Sequence, residues 1–297
     1  MPICIECCHP VKTLWKEGAG DKAGGHNIRL TVCKNCGRFC DKYVEHDFVV
    51  IFIDLILIKP QVYRHLLHNT LMKEEDKFAP SIIRLGVLLL LFDVYLTWAR
   101  IERQSSIASE ADDGTGNATT PYNANSNFGR LAQQPIVYQY LFFLLLCTLS
   151  TLAFHGSIRF LTSSRYSPLG LLGILPRYAR PNSVSTALLV SSSTKLFPIL
   201  MVIWEYDVPA AARSLGWAVV ANNVEALKIL LGCGYGAASL LAMAGALSRW
   251  AMGRAVLWAA GLEGVDSAGE SSVAADGRAL GALLIYAKDW AGRLAVG

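Results

Sequence analysis

Cys4 and Cys7 are separated by two residues, and so are Cys33 and Cys36, with 25 residues between the pairs. Two residues between thiolates let one tight turn aim both sulfurs at a single ion, and two such turns close a tetrahedral zinc site. Gly37 follows Cys36, where the turn can use a positive φ. Cys8, Cys40, His9 and His26 are further potential ligands. Cys8 could replace Cys7, but the two-residue spacing favours Cys7, and Cys40 reads as a free thiol. The alternatives are a pair of disulfides or a reduced cluster without metal. Four thiolates leave no open coordination position, so the expected zinc is one ion and structural. Zinc thiolates imply a reducing compartment, which places this head in the cytosol.

A second group of chemically able residues follows. FVVIFIDLILI (48–58) carries Asp54 within an apolar run, and QVYRHLLHNTLMKEE (61–75) brings Tyr63, Arg64 and His65. Eleven residues are too few to cross a hydrocarbon layer of about 30 Å. The stretch 48–75 is therefore expected to form an interfacial or re-entrant element. Tyr63 and Arg64 would lie at headgroup depth, and Asp54 and His65 would join them at a lipid headgroup. The plainer reading of Asp54 is a carboxylate that reaches water. His65 and His68 share a helix face, but no thiol or carboxylate is spaced to make a second metal site. Asp93 and Lys195 stand inside apolar segments, where charge is costly unless paired. They are candidates for an intramembrane polar pair, or for a polar path beside Ser193 and Thr194. GxSxG, HExxH, P-loop and dinucleotide motifs are absent, so no catalytic residue is assigned and an enzyme is not expected.

The elements that must position these residues follow from composition. Of 297 residues, 53% are hydrophobic and 17% charged, and the mean hydropathy is +0.36. A soluble domain carries more charge. The net charge of +4 allows contact with anionic headgroups and does not call for nucleic acid. VKTLWKE (11–17) and NIRLTVC (27–33) have strand character, and GAGDKAGG (18–25) would turn the chain between them. The fold class expected is a multi-pass α-helical membrane protein with a small N-terminal zinc-ribbon β-hairpin head at 1–47. A head this small needs its metal to fold. Within 76–260, spans are expected at 81–98, 135–156 and 184–206, with weaker ones at 213–232 and 235–259. A tail at 261–297 includes an amphipathic stretch, 277–296. MPICIECCHP has no apolar core of a secretory signal, so the first span would target the chain. Loop 99–134 contains the sequon Asn117-Ala118-Thr119, usable in the lumen, and loop 157–183 carries Arg159, Arg165, Arg177 and Arg180 without an acid. The positive-inside rule puts the arginine loop, and with it the head, in the cytosol.

The CxxC…CxxCG head, then DKYVEHD, then IDLILIKPQVYRHLLHN resembles the N-terminal homology domain of the Arv family, and WEYDVPAAARSLGWAVVANN (204–223) resembles its fungal branch. The doubled Cys7-Cys8 and the Gly-rich insert depart from the family pattern. The resemblance implies a multi-pass endoplasmic reticulum protein, with the Golgi membrane as a second location. It also implies a role in sterol and sphingolipid homeostasis through uptake, trafficking and distribution of sterols. Membrane lipids would be its partners. The same resemblance offers an alternative: an accessory subunit for synthesis or delivery of glycosylphosphatidylinositol precursors, partnered with enzymes of that pathway. A ubiquitin ligase would need eight ligands for two zincs, and the head offers four well-spaced cysteines.

Overall fold

The computed structural model describes residues 1–17, 28–71, 76–112, 135–167, 170, 173, 177–197 and 209–261, and for 99–112 and 209–216 the backbone alone. The strands are β1 (Trp15–Glu17) and β2 (Ile28–Leu30), antiparallel, with Trp15 opposite Leu30 and Glu17 opposite Ile28. They are shorter than the strand-like stretches because the flanking backbone is used by the cysteine turns, which close with bridges Ile3–Pro10 and Val32–Phe39. The Gly-rich turn and His26 lie outside the described residues.

A 3-10 turn, Lys42–Val44, leads from the head, capped by Asp41, whose side chain accepts from the Tyr43 amide. Then come α1 (Phe48–Ile56), α2 (Pro60–Arg64), and a π-helical segment, His65–Leu71. Pro60 stands in the first turn of α2, where its missing N–H costs nothing. These pieces cover most of the stretch expected as an interfacial or re-entrant element, as two short helices and a π-helical segment.

α3 (Pro80–Asp112) runs past the expected span end at 98. Residues 99–112, expected as loop, are helical because the sequence after Trp98 holds Ala, Arg, Glu and Gln and no Pro or Gly. Residues 113–134, with the sequon, lie outside the described residues. α4 (Ile136–Ser163) extends the expected second span. In the expected third span, 184–206, α5 (Pro181–Ser192) tightens into a 3-10 turn at Ser193–Leu196, and 198–208 lie outside the described residues. α6 (Pro209–Leu231) and α7 (Tyr235–Ala259) cover the two weaker segments. The expected amphipathic stretch 277–296 lies outside the described residues.

The chain forms two compact units. In the first, Met1–Leu89 with Thr151–Arg249, α5 packs on α6, and α2 and the π segment pack on the same pair. Val62, Tyr63, Leu67, Val184, Leu188 and Leu227 are fully buried there. Gly245 lets α7 approach α4 closely: a Cβ would stand 2.7 Å from Ile158 Cδ1. In the second, Leu90–Ser150 with Trp250–Gly297, Val94, Phe143, Leu146, Cys147 and Leu257 form the core, and Trp98 stacks on Tyr140 at 5.7 Å.

Polarity is inverted along several helices. Asn222, Asn223 and Glu225 of α6 are buried while Trp217 and Val220 are exposed. Among the described residues two helices, Pro80–Trp98 and Ile136–Ser163, are long and apolar enough to cross a membrane. Only 22% and 33% of their most apolar stretches are buried within the protein, whereas a soluble protein's core helix would be mostly covered.

Candidate metal centre and its clamp

Each cysteine pair sits on a turn built from the same hydrogen bonds. The Cys4 N–H donates to His9 O at 2.9 Å, and the Cys33 N–H donates to Arg38 O at 2.8 Å. The Cys8 N–H returns to Cys4 O and the Gly37 N–H to Cys33 O. Both turns then need one left-handed residue, supplied by Cys8 (φ 59) and Gly37 (φ 70). Only glycine takes that conformation without strain. Backbone amides also point at sulfur in matching positions: Glu6 and Cys7 at Cys4, Asn35 and Cys36 at Cys33, His9 at Cys7, Arg38 at Cys36.

The two turns face each other. Cys4 Sγ lies 3.8 Å from Cys36 Sγ, and Cys7 Sγ lies 3.7 Å from Cys33 Sγ. All four sulfurs lie within 4.8 Å of one another. Tetrahedral thiolate coordination with metal–sulfur bonds of about 2.3 Å separates the sulfurs by about 3.8 Å. The spacing therefore fits one metal ion held by Cys4, Cys7, Cys33 and Cys36. The His9 amide and then the Asn35 side chain bring the Cys7 thiol down to about 6, and the Cys36 and Asn35 amides lower Cys33. Burial pushes Cys4 up to about 12, so loading a metal there displaces a proton. Cys8 is exposed on the left-handed corner, outside the four-sulfur group. Cys40 is also outside it, buried beside Cys4 and Cys33.

The residues behind the head grip it. Arg64 donates to two carbonyls of the first turn, Ile5 O at 2.7 Å and Glu6 O at 3.0 Å. Asn69 acts like a strand neighbour to Ile3, accepting from its N–H at 2.9 Å and donating to its C=O at 3.0 Å. Asp41, fully buried, collects three donors: the Tyr43 amide, His65 Nδ1 at 2.7 Å and Asn69 Nδ2 at 2.7 Å. Thr70 Oγ1 lies 3.3 Å from the other His65 nitrogen. His65 and Asn69, at i and i+4 in the π-helical segment His65–Leu71, lie on one face and reach the same carboxylate.

Asp54 is turned inward, where it accepts from Tyr43 Oη at 2.8 Å and Lys59 Nζ at 2.6 Å. Burial resists its ionisation, yet these two donors win and hold its carboxyl below the usual range. Tyr63 is buried and donates to Asn222 Oδ1 of α6, and Asn222 Nδ2 donates to Thr194 Oγ1 at 2.9 Å. The sequence set Asp54, Tyr63, Arg64 and His65 toward headgroups. The structure gives each of them a protein partner, and three of the four reach the head or the turn that leaves it. Asp93 is half-buried in α3 and Lys195 half-buried after α5, in different compact units.

Sequence reasoning missed Asp41, Asn69 and Asp76. Asp41 had one signal, a short polar residue able to cap the turn after Cys40. Asp76 caps α5 from outside that helix, accepting from the Asn182 and Ser183 amides at 3.2 and 3.0 Å. Asn69 and Asp76 meet partners more than sixty residues away, and no local pattern announces that.

The class defined is a mostly helical protein with a four-cysteine head, a small two-stranded sheet, and two helices compatible with a membrane. The chain belongs to the Arv1-like family, which matches residues 3–227. It is 37% identical to Protein arv1 of Schizosaccharomyces pombe over 77% of this chain and 75% of that one. It is 32% identical to the Protein arv1 homolog of Dictyostelium discoideum, over 77% and 84%, and 29% identical to Protein ARV1 of Homo sapiens, over 77% and 72%. No solved structure matches the chain significantly. Family membership is consistent with a general role in lipid homeostasis.

Proposed function

We propose that this protein mediates sterol and sphingolipid homeostasis from the endoplasmic reticulum membrane. It would act without catalysis, in the uptake, trafficking and distribution of sterols. The chain is multi-pass with its head in the cytosol, and the head holds one structural zinc. The observation that carries this reading is the grip of Arg64, His65 and Asn69 on the cysteine head, in a chain of the Arv1-like family. The zinc fixes the turns, the turns fix Arg64 and Asn69, and so the head sets the position of the apolar element behind it. Residues first set toward headgroups then act by positioning that element. The membrane part of the reading is supported by the apolar surfaces of Pro80–Trp98 and Ile136–Ser163 and by the polar interior of α6.

The test is metal stoichiometry and lipid mass spectrometry on one detergent-purified sample of the full chain. One zinc per chain with co-purifying sterol or sphingolipid is the expected result. Zinc without lipid, with a glycosyltransferase in stoichiometric amount, would replace this reading by the accessory-subunit one for glycosylphosphatidylinositol precursors. Wild-type lipid activity from Cys33→Ala, with no zinc bound, would remove the anchoring role of the head.

A further inference from the structure

α1 has two unlike faces. Asp54 and Leu55 are buried, and Ile51 packs on the core of the first unit. On the other side Phe48, Val49, Ile53 and Leu57 are exposed at 77%, 64%, 48% and 60%. These positions fall at i, i+1, i+5 and i+9, one side of a helix, and Phe52 stacks on Phe48 among them. The face carries no charge and no hydrogen-bonding group.

The helix ends in a second anomaly. The Ile58 N–H donates to Leu55 O and the Lys59 N–H to Asp54 O, a cap that calls for a left-handed residue. Glycine is the usual choice, yet Ile58 takes φ 55. A β-branched residue there is strained. Lys59 follows, its side chain nearly half exposed while its ammonium holds Asp54, which suits a cation lying at the level of headgroups.

We infer that the outer face of α1 lies in the hydrocarbon of the leaflet beside the head, along the membrane surface and not through it. This rests on the reading of the chain as a membrane protein and deepens it. Nine residues of helix reach about 14 Å, half of what a crossing needs. With the inner face covered by α2 and α6, and Asp54 held by Tyr43 and Lys59, only one side is left to meet lipid. Lipid fits better than a protein partner because a protein interface of this size carries polar groups at its rim and core, and this face offers none. The same unit turns Ile83, Val87 and Leu88 outward from a helix able to cross a membrane, so its apolar surface already has a bilayer as its natural solvent.

A diazirine-bearing amino acid placed singly at Val49, Ile53 or Leu57 tests this in the full chain. The protein is reconstituted in vesicles of phosphatidylcholine with a minor share of phosphatidylserine, irradiated, and its adducts are read by mass. Arg38, on the exposed side of the head, serves as the water-facing position, and Leu91, exposed on α3, as the position within a span. The expected result is phospholipid adducts at 49, 53, 57 and 91, each several-fold above position 38. Lipid at 91 with only water products at 49 and 53 would overturn the inference and leave the membrane reading standing. Lipid at 91 with protein adducts at 49 and 53 would overturn it in favour of a second copy or another chain. No lipid at 91 would overturn both.

Discussion

The two cysteine turns are near-copies of each other in backbone and unlike in everything outside it. Both close with the same pair of amide bonds, both aim amides at their sulfurs, and both place one residue in the left-handed region. The first turn is then held by Arg64 and Asn69 from 58 residues or more along the chain. The second faces water: Val32 and Phe39 beside it are more than half exposed, and Arg38 reaches only Glu6 of the first turn. Metal spacing therefore specifies both turns, and docking distinguishes them. The first turn is the one through which a metal held by the four sulfurs would be felt by the rest of the molecule.

The largest effect should treat the two turns alike. Cys4→Ala and Cys36→Ala each leave three sulfurs, and structural zinc contributes about 10–16 kcal/mol in small zinc-finger peptides. A head with about forty residues has no core to replace that. Both variants should lose metal and lose amide protection over residues 28–40, as should the wild-type chain under a strong chelator. Metal analysis with hydrogen exchange reads this. A Cys4→Ala chain that keeps protection in the second turn would break the symmetry at its root.

Asp41→Asn should be the next largest and should separate the turns. The new amide puts a donor where His65 and Asn69 both point donors at Oδ2, and breaking a buried charged pairing costs about 3–5 kcal/mol. Protection should fall at residues 65–71 and at Ile3, whose partner is Asn69, while the second turn keeps its metal-held amides. Arg64→Lys should be milder, about 1.5–3 kcal/mol for a charged donor lost from the two carbonyls it serves. Exchange should quicken in the first turn and stay unchanged at Arg38. Equal loosening of both turns in either variant would mean that the metal, and not the clamp, carries the difference.

How much of this was legible in the sequence differs between the same two parts. The four cysteines that could hold a metal ion and Gly37 were readable because thiolate spacing and a left-handed corner are local constraints, set within six residues. The bounds of α7 match the apolar stretch 235–259, set off by Gly232 and Gly234 before it and Gly261 after it, although Gly236, Gly245 and Gly253 stand inside the helix. The clamp was not. Arg64 and His65 were read as headgroup candidates, and their type fits a headgroup as well as a carbonyl or a carboxylate. Which partner they take depends on where the first turn and Asp41, 24 residues before His65, come to lie in the fold, and no local periodicity states that. α5 shows a related limit. The stretch 184–206 was expected as a span although it carries a run of serines, and in the structure Ser191 donates to Asn223 at 2.5 Å and Asn222 donates to Thr194, inside the fold. A polar face turned inward looks, in one dimension, the same as a failed apolar one.

The smallest effect concerns the left-handed corner, where the two turns carry different residues. Cys8 occupies the corner that Gly37 occupies in the second turn, at φ 59 against φ 70. A residue with a Cβ there gives up about 1–2 kcal/mol that glycine does not. Cys8→Gly should therefore stabilise the head by up to that amount and leave one metal per chain, since Cys8 stands outside the four-sulfur group. Gly37→Ala should destabilise it by a similar amount, even though a Cβ at Gly37 meets nothing within 4 Å, because the penalty is in the backbone and not in space. Thermal melts of the two variants, with metal analysis on each, measure the pair. Opposite signs of similar size would show that the turns are equivalent wherever the clamp does not reach. A Cys8→Gly chain that loses metal would instead make Cys8 a ligand in solution, and the first turn would then differ from the second in its chemistry as well as in its neighbours.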